Sequence, residues 1–312
     1  MSTSNTTRPA RTLLYLAFAI VYVVWGSTYM AIRVTVETLP PFLSGAARFL
    51  MAGGALLVLL RLRGALWPTA LQWRRSLVAG LFMLVGGNGL VVWAEKSIAS
   101  GFAALLVALT PIWFALLDWA RPAGVRPQAK TILGVLVGFT GIVLLVNGEA
   151  RVNGSRLATM AVIVAGMCWA GGSLYAKRAP GTDSPWMNAA MQMVCGGAGL
   201  LVVGVVSGEP LRTDWSAISA RSLLALGYLI VFGSWIAFSA YVWLLQVSTP
   251  GRVSTYAYVN PMIAVFLGWA LLGEQVTGRM LLGMLVIVAG VIIITIQPRL
   301  APRLRPCAEN AT

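Results

Sequence analysis

The feature that most constrains this chain is a succession of apolar stretches, at 13–32, 41–60, 77–95, 100–119, 131–147, 157–176, 187–206, 222–243, 253–272 and 280–297. A helix needs about 20 residues to cross about 30 Å of hydrocarbon, and each stretch comes near that length. Solid apolar blocks are the wrong pattern for a membrane barrel, whose strands alternate over about ten positions. They are equally wrong for a soluble domain. The chain is 58% hydrophobic and only 10% charged, whereas water-facing surfaces bring the charged share to about a quarter. The expectation is an all-α membrane protein of ten transmembrane helices, with the lipid bilayer as its solvent.

A net charge of +14 raises nucleic acid as a partner, and the placement of the charges argues against it. Arg61, Arg63, Arg74 and Arg75, then Arg121, Arg126 and Lys130, fill short gaps between apolar stretches. That layout holds membrane topology rather than a DNA-binding face. Putting the N-terminus in the cytoplasm gathers most basic residues inside, so both termini are expected there. The first stretch is longer than the apolar region of a signal peptide and is followed by no small-residue cleavage pattern, so it is expected to remain as the first span. Histidine is absent, and the three cysteines (Cys168, Cys195, Cys307) have no paired spacing. The reading therefore includes no metal, no cofactor and no catalytic residue. A membrane-embedded enzyme would need converging acid, base or nucleophile groups, and a receptor or scaffold would need a folded soluble domain where the loops are short. No feature calls for an oligomer, and a monomer is expected.

The stretches repeat. Segment 101–120, GFAALLVALTPIWFALLDWA, aligns with 251–270, GRVSTYAYVNPMIAVFLGWA, pairing Gly101 with Gly251, Pro111 with Pro261 and Trp119 with Trp269. Further on, GVLVGFTGIVLL from Gly134 resembles GMLVIVAGVIII from Gly283. A repeat unit of five spans enters the second time from the opposite side, which makes the halves inverted. The expected division is 1–148, 149–298 and a cytoplasmic tail 299–312.

Four segments then carry a family resemblance. They are WGSTY…IR (Trp25 to Arg33), PPFLSGAARFLMAGG (Pro40 to Gly54), GNGLVVWAE (Gly87 to Glu95) and YAYVNPMIAVFLGWALLGE (Tyr256 to Glu274). Together they resemble EamA-type proteins of the drug/metabolite transporter superfamily, over nearly the whole chain. The resemblance implies a ten-helix exporter of small metabolites or amphipathic compounds that works by alternating access.

The residues themselves nominate a cavity. Arg48 lies about eight residues into the second stretch, roughly 10 Å deep, where an ionisable group is costly and faces a cavity or partner. It binds a substrate carboxylate, pairs with Glu95, or snorkels to the interface. Glu95 and Asn88, seven residues apart, share a helix face; they line the route, or Glu95 with Lys96 merely caps a helix at the outer interface. Trp25, Trp93, Trp169 and Tyr256 are candidate aromatic walls, the alternative being an interfacial belt. Thr28, Gln192 and Asn260 complete the candidate set, with helix–helix hydrogen bonding as their other role. Pro111 and Pro261 are expected to kink the fourth and ninth spans and to act as matched hinges. Thr110 and Asn260, each preceding its proline, are placed to satisfy the carbonyls the prolines free. A small-molecule substrate is the expected partner.

Overall fold

The computed structural model describes residues 11–120, 129–149, 156–179 and 181–295. The tail 299–312, Cys307, Arg121 and Arg126 lie outside them. Among the described residues there is no strand. That is the outcome lipid enforces, because a helix pairs its backbone groups within itself where no water can.

Among the described residues, seven helices are long and apolar enough to cross a membrane: α1 (Arg11–Thr35), α2 (Pro41–Leu62), α3 (Ala70–Ala94), α4 (Ser100–Trp119), α6 (Arg156–Arg178), α7 (Pro185–Val206) and α8 (Ala220–Val247). Three others, α5 (Ala129–Glu149), α9 (Tyr256–Leu272) and α10 (Gly278–Thr295), carry shorter apolar parts. Side chains that would be wrong on a soluble surface cover the outside, among them Val206 at 82% exposed and Leu285 at 63%. The chain is a multi-pass membrane protein.

Local chemistry sets the helix ends. Thr69 and Gln72 form a reciprocal capping box at the start of α3, and Ser184 accepts from Met187 N ahead of Pro185 at the start of α7. Gly208 and Gly273 stop α7 and α9 at φ 76° and 66°, angles that other residues adopt only at a cost. The residue after each glycine is a glutamate that reaches to another helix. Glu209 accepts from Phe42 N (3.0 Å) and Leu43 N (2.9 Å) at the start of α2. Glu274 accepts from Ser100 N and Ser100 Oγ (both 2.8 Å) and from Gly101 N (3.1 Å) at the start of α4. Each carboxylate thus supplies the acceptors and the negative charge that a helix N-terminus lacks.

Among the described residues, three helices depart from regular α geometry. Within α3, Leu81–Gly89 is wound as π-helix, and within α8, Leu229–Ile236 is too. A π-turn spaces residues more widely than an α-turn, and such turns concentrate at functional sites. In α4 the helix is interrupted at Ala108 and Leu109 and resumes at Thr110, with Pro111 in its first turn. Thr110 Oγ1 donates to Val107 O at 2.6 Å, the very carbonyl that Pro111 leaves without a donor. Pro261 behaves otherwise: α9 runs through it unbroken. The break on that side falls at Ser254 and Thr255, between the single turn Pro250–Val253 and α9. Asn260, its amide nitrogen turned toward two carbonyls, donates to Tyr256 O (3.1 Å) and Tyr22 O (3.0 Å) and not to Ala257, whose carbonyl Pro261 frees.

The helices pair α2 with α7, α5 with α10, α1 with α8 and α9, α4 with α6 and α9, and α3 with α6 and α7. Glycine permits the closest crossings. A Cβ on Gly53 of α2 would lie 2.9 Å from Val194 N, and one on Gly290 of α10 would lie 2.5 Å from Gly138 N of α5.

Candidate functional site

The interior holds a cavity of about 70 Å³. Four consecutive helices and three later ones wall it: α1 through Trp25, Thr28, Tyr29 and Ile32; α2 through Arg48 and Phe49; α3 through Leu84, Gly87, Asn88 and Val91; α4 through Val107. From further along the chain come Ala165, Gly166 and Trp169 of α6, Gly233 and Phe238 of α8, and Tyr256 and Asn260 of α9. Both π-segments reach the wall, one with Gly87 and Asn88, the other with Gly233.

One side is aromatic. The Trp25 ring stands edge-on to Trp169 (centroids 5.4 Å apart, 84°) and to Tyr256 (5.3 Å, 89°), and tilts against Tyr241 at 4.8 Å. Hydrogen bonds fix the rings. Trp25 Nε1 donates to Gly233 O at 3.1 Å, and Trp169 Nε1 to Tyr241 OH at 3.0 Å, which also meets Ser173 Oγ at 2.8 Å. Edge-on pairs of this kind hold ring planes in place as well as burying area. Thr28 spends its hydroxyl proton on its own helix, donating to Trp25 O at 2.7 Å, so it has no proton left to donate to a cargo.

The other side is polar and incompletely bonded. Arg48 is 5% exposed. Its Nε donates to Ser234 Oγ at 2.7 Å, and its guanidinium carbon lies 4.7 Å from the Phe49 ring centre. Among the described residues its Nη1 has no hydrogen-bond partner, and neither has Asn88 Oδ1. Buried polar atoms nearly always have a partner, so two orphans in one wall need a reason.

Of the residues nominated from sequence, the structure brings Trp25, Thr28, Arg48, Asn88, Trp169, Tyr256 and Asn260 around this cavity. Three stand elsewhere. Trp93 faces a separate basin of about 430 Å³ beside Lys96, Glu209 and Arg212. Gln192 is buried in α7 outside the cavity wall, and its Oε1 has no partner among the described residues. Glu95 is not an exposed interfacial cap: it is 0% exposed, and both its carboxylate oxygens lack partners among the described residues, while its backbone oxygen accepts from Arg33 Nη1. It is outside the cavity wall and makes no ion pair with Arg48 among the described residues. Arg48 does not snorkel either; its contacts are internal. Pro111 and Pro261 are buried without lining the cavity.

Sequence reasoning missed Tyr29, Phe49, Phe238 and Tyr241. Tyr29 was legible, four residues after Trp25 and hence on the same helix face. Tyr241 was not: its role depends on α8 lying against α1, a tertiary fact.

A profile of the EamA-like transporter family matches residues 12–147 and again 156–296. The chain belongs to this family. Among similar EamA-type proteins, the uncharacterized inner membrane transporter YedA of Escherichia coli K12 is 35% identical over 93% of this chain and 92% of its own length. The uncharacterized transporter YvbV of Bacillus subtilis is 26% identical over 93% of each. A solved crystal structure, 20% identical, aligns over 91% of this chain and 96% of the other with a TM-score of 0.64, which is a likeness of fold.

Proposed function

We propose that this chain is a secondary transporter that exports small organic molecules (amino acids, other metabolites or amphipathic drugs) across the inner membrane by alternating access. Its ten helices are arranged as two inverted five-helix halves, residues 1–148 and 149–298. The observation that carries the proposal is the ownership of the cavity wall, with α1–α4 from one half and α6, α8 and α9 from the other. Transporters built on inverted repeats place their substrate between the halves.

The helix pairings support the inverted arrangement. Exchanging every helix for its counterpart five places on turns the α1–α9 contact into α6–α4 and the α1–α8 contact into α6–α3. It leaves α2–α7, α4–α9 and α5–α10 in place, and every one of these contacts is made. The π-segments obey the same exchange, one in α3 and one in α8. The inner membrane as the location follows from the likeness to the E. coli relative, whose name carries it.

The test is solute counterflow into proteoliposomes holding the purified protein, across a panel of amino acids, nucleosides, organic acids and cationic dyes. Accelerated and saturable movement of at least one solute over protein-free vesicles is the expected result. Acceleration of none would refute the transporter reading.

A further inference from the structure

The cavity combines an aromatic wall with a cation. Aromatic faces alone favour positively charged cargo through the ring quadrupole. Among the described residues, the only charged side chain in the wall is Arg48, and no Asp or Glu lines it. A guanidinium is charged at any physiological pH and offers paired donors in a fixed fork that matches a carboxylate. In this one, Nε is used by Ser234, Nη1 is unpartnered, and no described carboxylate lies within ion-pair distance. Glu95 is buried as well, but it lies outside the wall.

An unpaired cation in a low-dielectric interior is expensive, and such groups in membrane proteins occur where a ligand or partner completes them. From this juxtaposition we propose that the cargo of the central cavity is an organic anion, a flat apolar body carrying a carboxylate. Its charged end sits on Arg48 and its body lies against Trp25 and Trp169. The inference rests on the transporter reading and narrows it.

Two features refine the fit. Asn88 Oδ1 is an acceptor without a donor in the same wall, so it discriminates in favour of anions that also carry an O–H or N–H group. The cavity, at about 70 Å³, is smaller than the roughly 150 Å³ that takes benzene in a buried apolar site. Loading must therefore part the walls. The two π-segments are placed to give way, because their wider turns already depart from the α ladder.

The experiment uses isosteres of one shape and three charges: phenylacetate, phenylacetamide and phenethylammonium, with the matching indole series. Binding to the full-length protein in nanodiscs is measured by titration calorimetry. Wild type is expected to bind the acid about tenfold or more tightly than the amide, the difference a charge-assisted hydrogen bond makes, and to bind the ammonium least. Arg48→Gln should erase the acid–amide difference. Should that variant fail to fold, the isostere ranking in wild type decides alone. Equal binding of acid and amide, preference for the ammonium, or binding of none of the series would overturn the proposal. Counterflow of the same compounds and of the wider solute panel separates the two readings. Movement of any solute keeps the transporter reading even when the anion preference fails.

Discussion

At the scale of single residues, Glu209 and Glu274 differ from the other acids in what they hold. Each presents its two oxygens to backbone N–H groups at the start of a distant helix, where partial positive charge collects. Glu37 carries the same group but meets Arg221 only at 3.8 Å, with both side chains well exposed, and such pairs contribute little. Glu274→Gln keeps the shape but turns an amide N–H₂ toward one of the donors and removes the charge. We expect it to cost about 1–2 kcal/mol, the upper range for a lost helix cap, seen as a lower apparent Tm in detergent, with Glu209→Gln close behind. Glu37→Gln should stay within about 0.5 kcal/mol of wild type. Equal shifts at all three positions would mean the caps add nothing. The sequence made part of this legible. A glycine ending an apolar run followed by a glutamate marks a helix end, but which N-terminus the carboxylate reaches depends on how the helices lie together. Arg48 was legible for the opposite reason: an arginine deep in an apolar stretch requires a cavity or a partner however its helix is packed.

At the scale of elements, adjacent glycines in α2 make a controlled comparison. A Cβ on Gly53 would lie 2.7 Å from Met193 Cβ, 2.9 Å from Val194 N and 3.0 Å from Ala190 O of α7, whereas one on Gly54 meets nothing within 4 Å among the described residues. Backbone atoms cannot rotate aside, so Gly53→Ala must push the two helices apart, at about 1–3 kcal/mol. Gly54→Ala should be neutral or stabilising by up to about 1 kcal/mol, because alanine restricts the unfolded chain more than glycine does. Thermal unfolding of the two variants side by side checks this, and a neutral Gly53→Ala would remove the close crossing as a structural requirement. The Gly-Gly pairs were visible as sites of close approach, yet which member faces the neighbour follows from helix rotation. The prolines divide the same way. Thr110 answering Pro111 is a local relation and was readable, while the unbroken course of α9 through Pro261 is set by its packing on α1 and α4. The π-segments left no such trace, because widening a turn needs no particular residue, only neighbours that hold it open.

At the scale of the whole molecule, alternating access requires that the ends of the helices on one side of the membrane separate while the other side closes. The side where α1 ends and α8 begins is tied by several bonds between distant segments. Ser222 Oγ donates to Val34 O at 2.7 Å, Ser219 N to Thr38 Oγ1 at 3.2 Å, and Thr38 Oγ1 and Ser219 Oγ stand 3.5 Å apart. The same side carries the Glu209 cap on α2 and the basin lined by Lys96 and Arg212. The other ends of the helices have ties of their own, Lys177 Nζ donating to Leu245 O and Ser248 O and Arg178 pairing with Asp118 at 2.9 Å. All of these are polar contacts near helix ends that a two-state rearrangement can break and remake. Cysteines at Thr38 and Ser219, in a background with Cys168, Cys195 and Cys307 replaced, have side chains near enough to bridge with little backbone movement. Under oxidation, the Thr38→Cys/Ser219→Cys protein should lose nearly all counterflow while still binding its cargo from the opposite side, and a reductant should restore transport. A fixed pore would conduct through the bridged protein as through the free one. Undiminished flux in the oxidised form would therefore count against alternating access while leaving the cavity and its Arg48 cation in place.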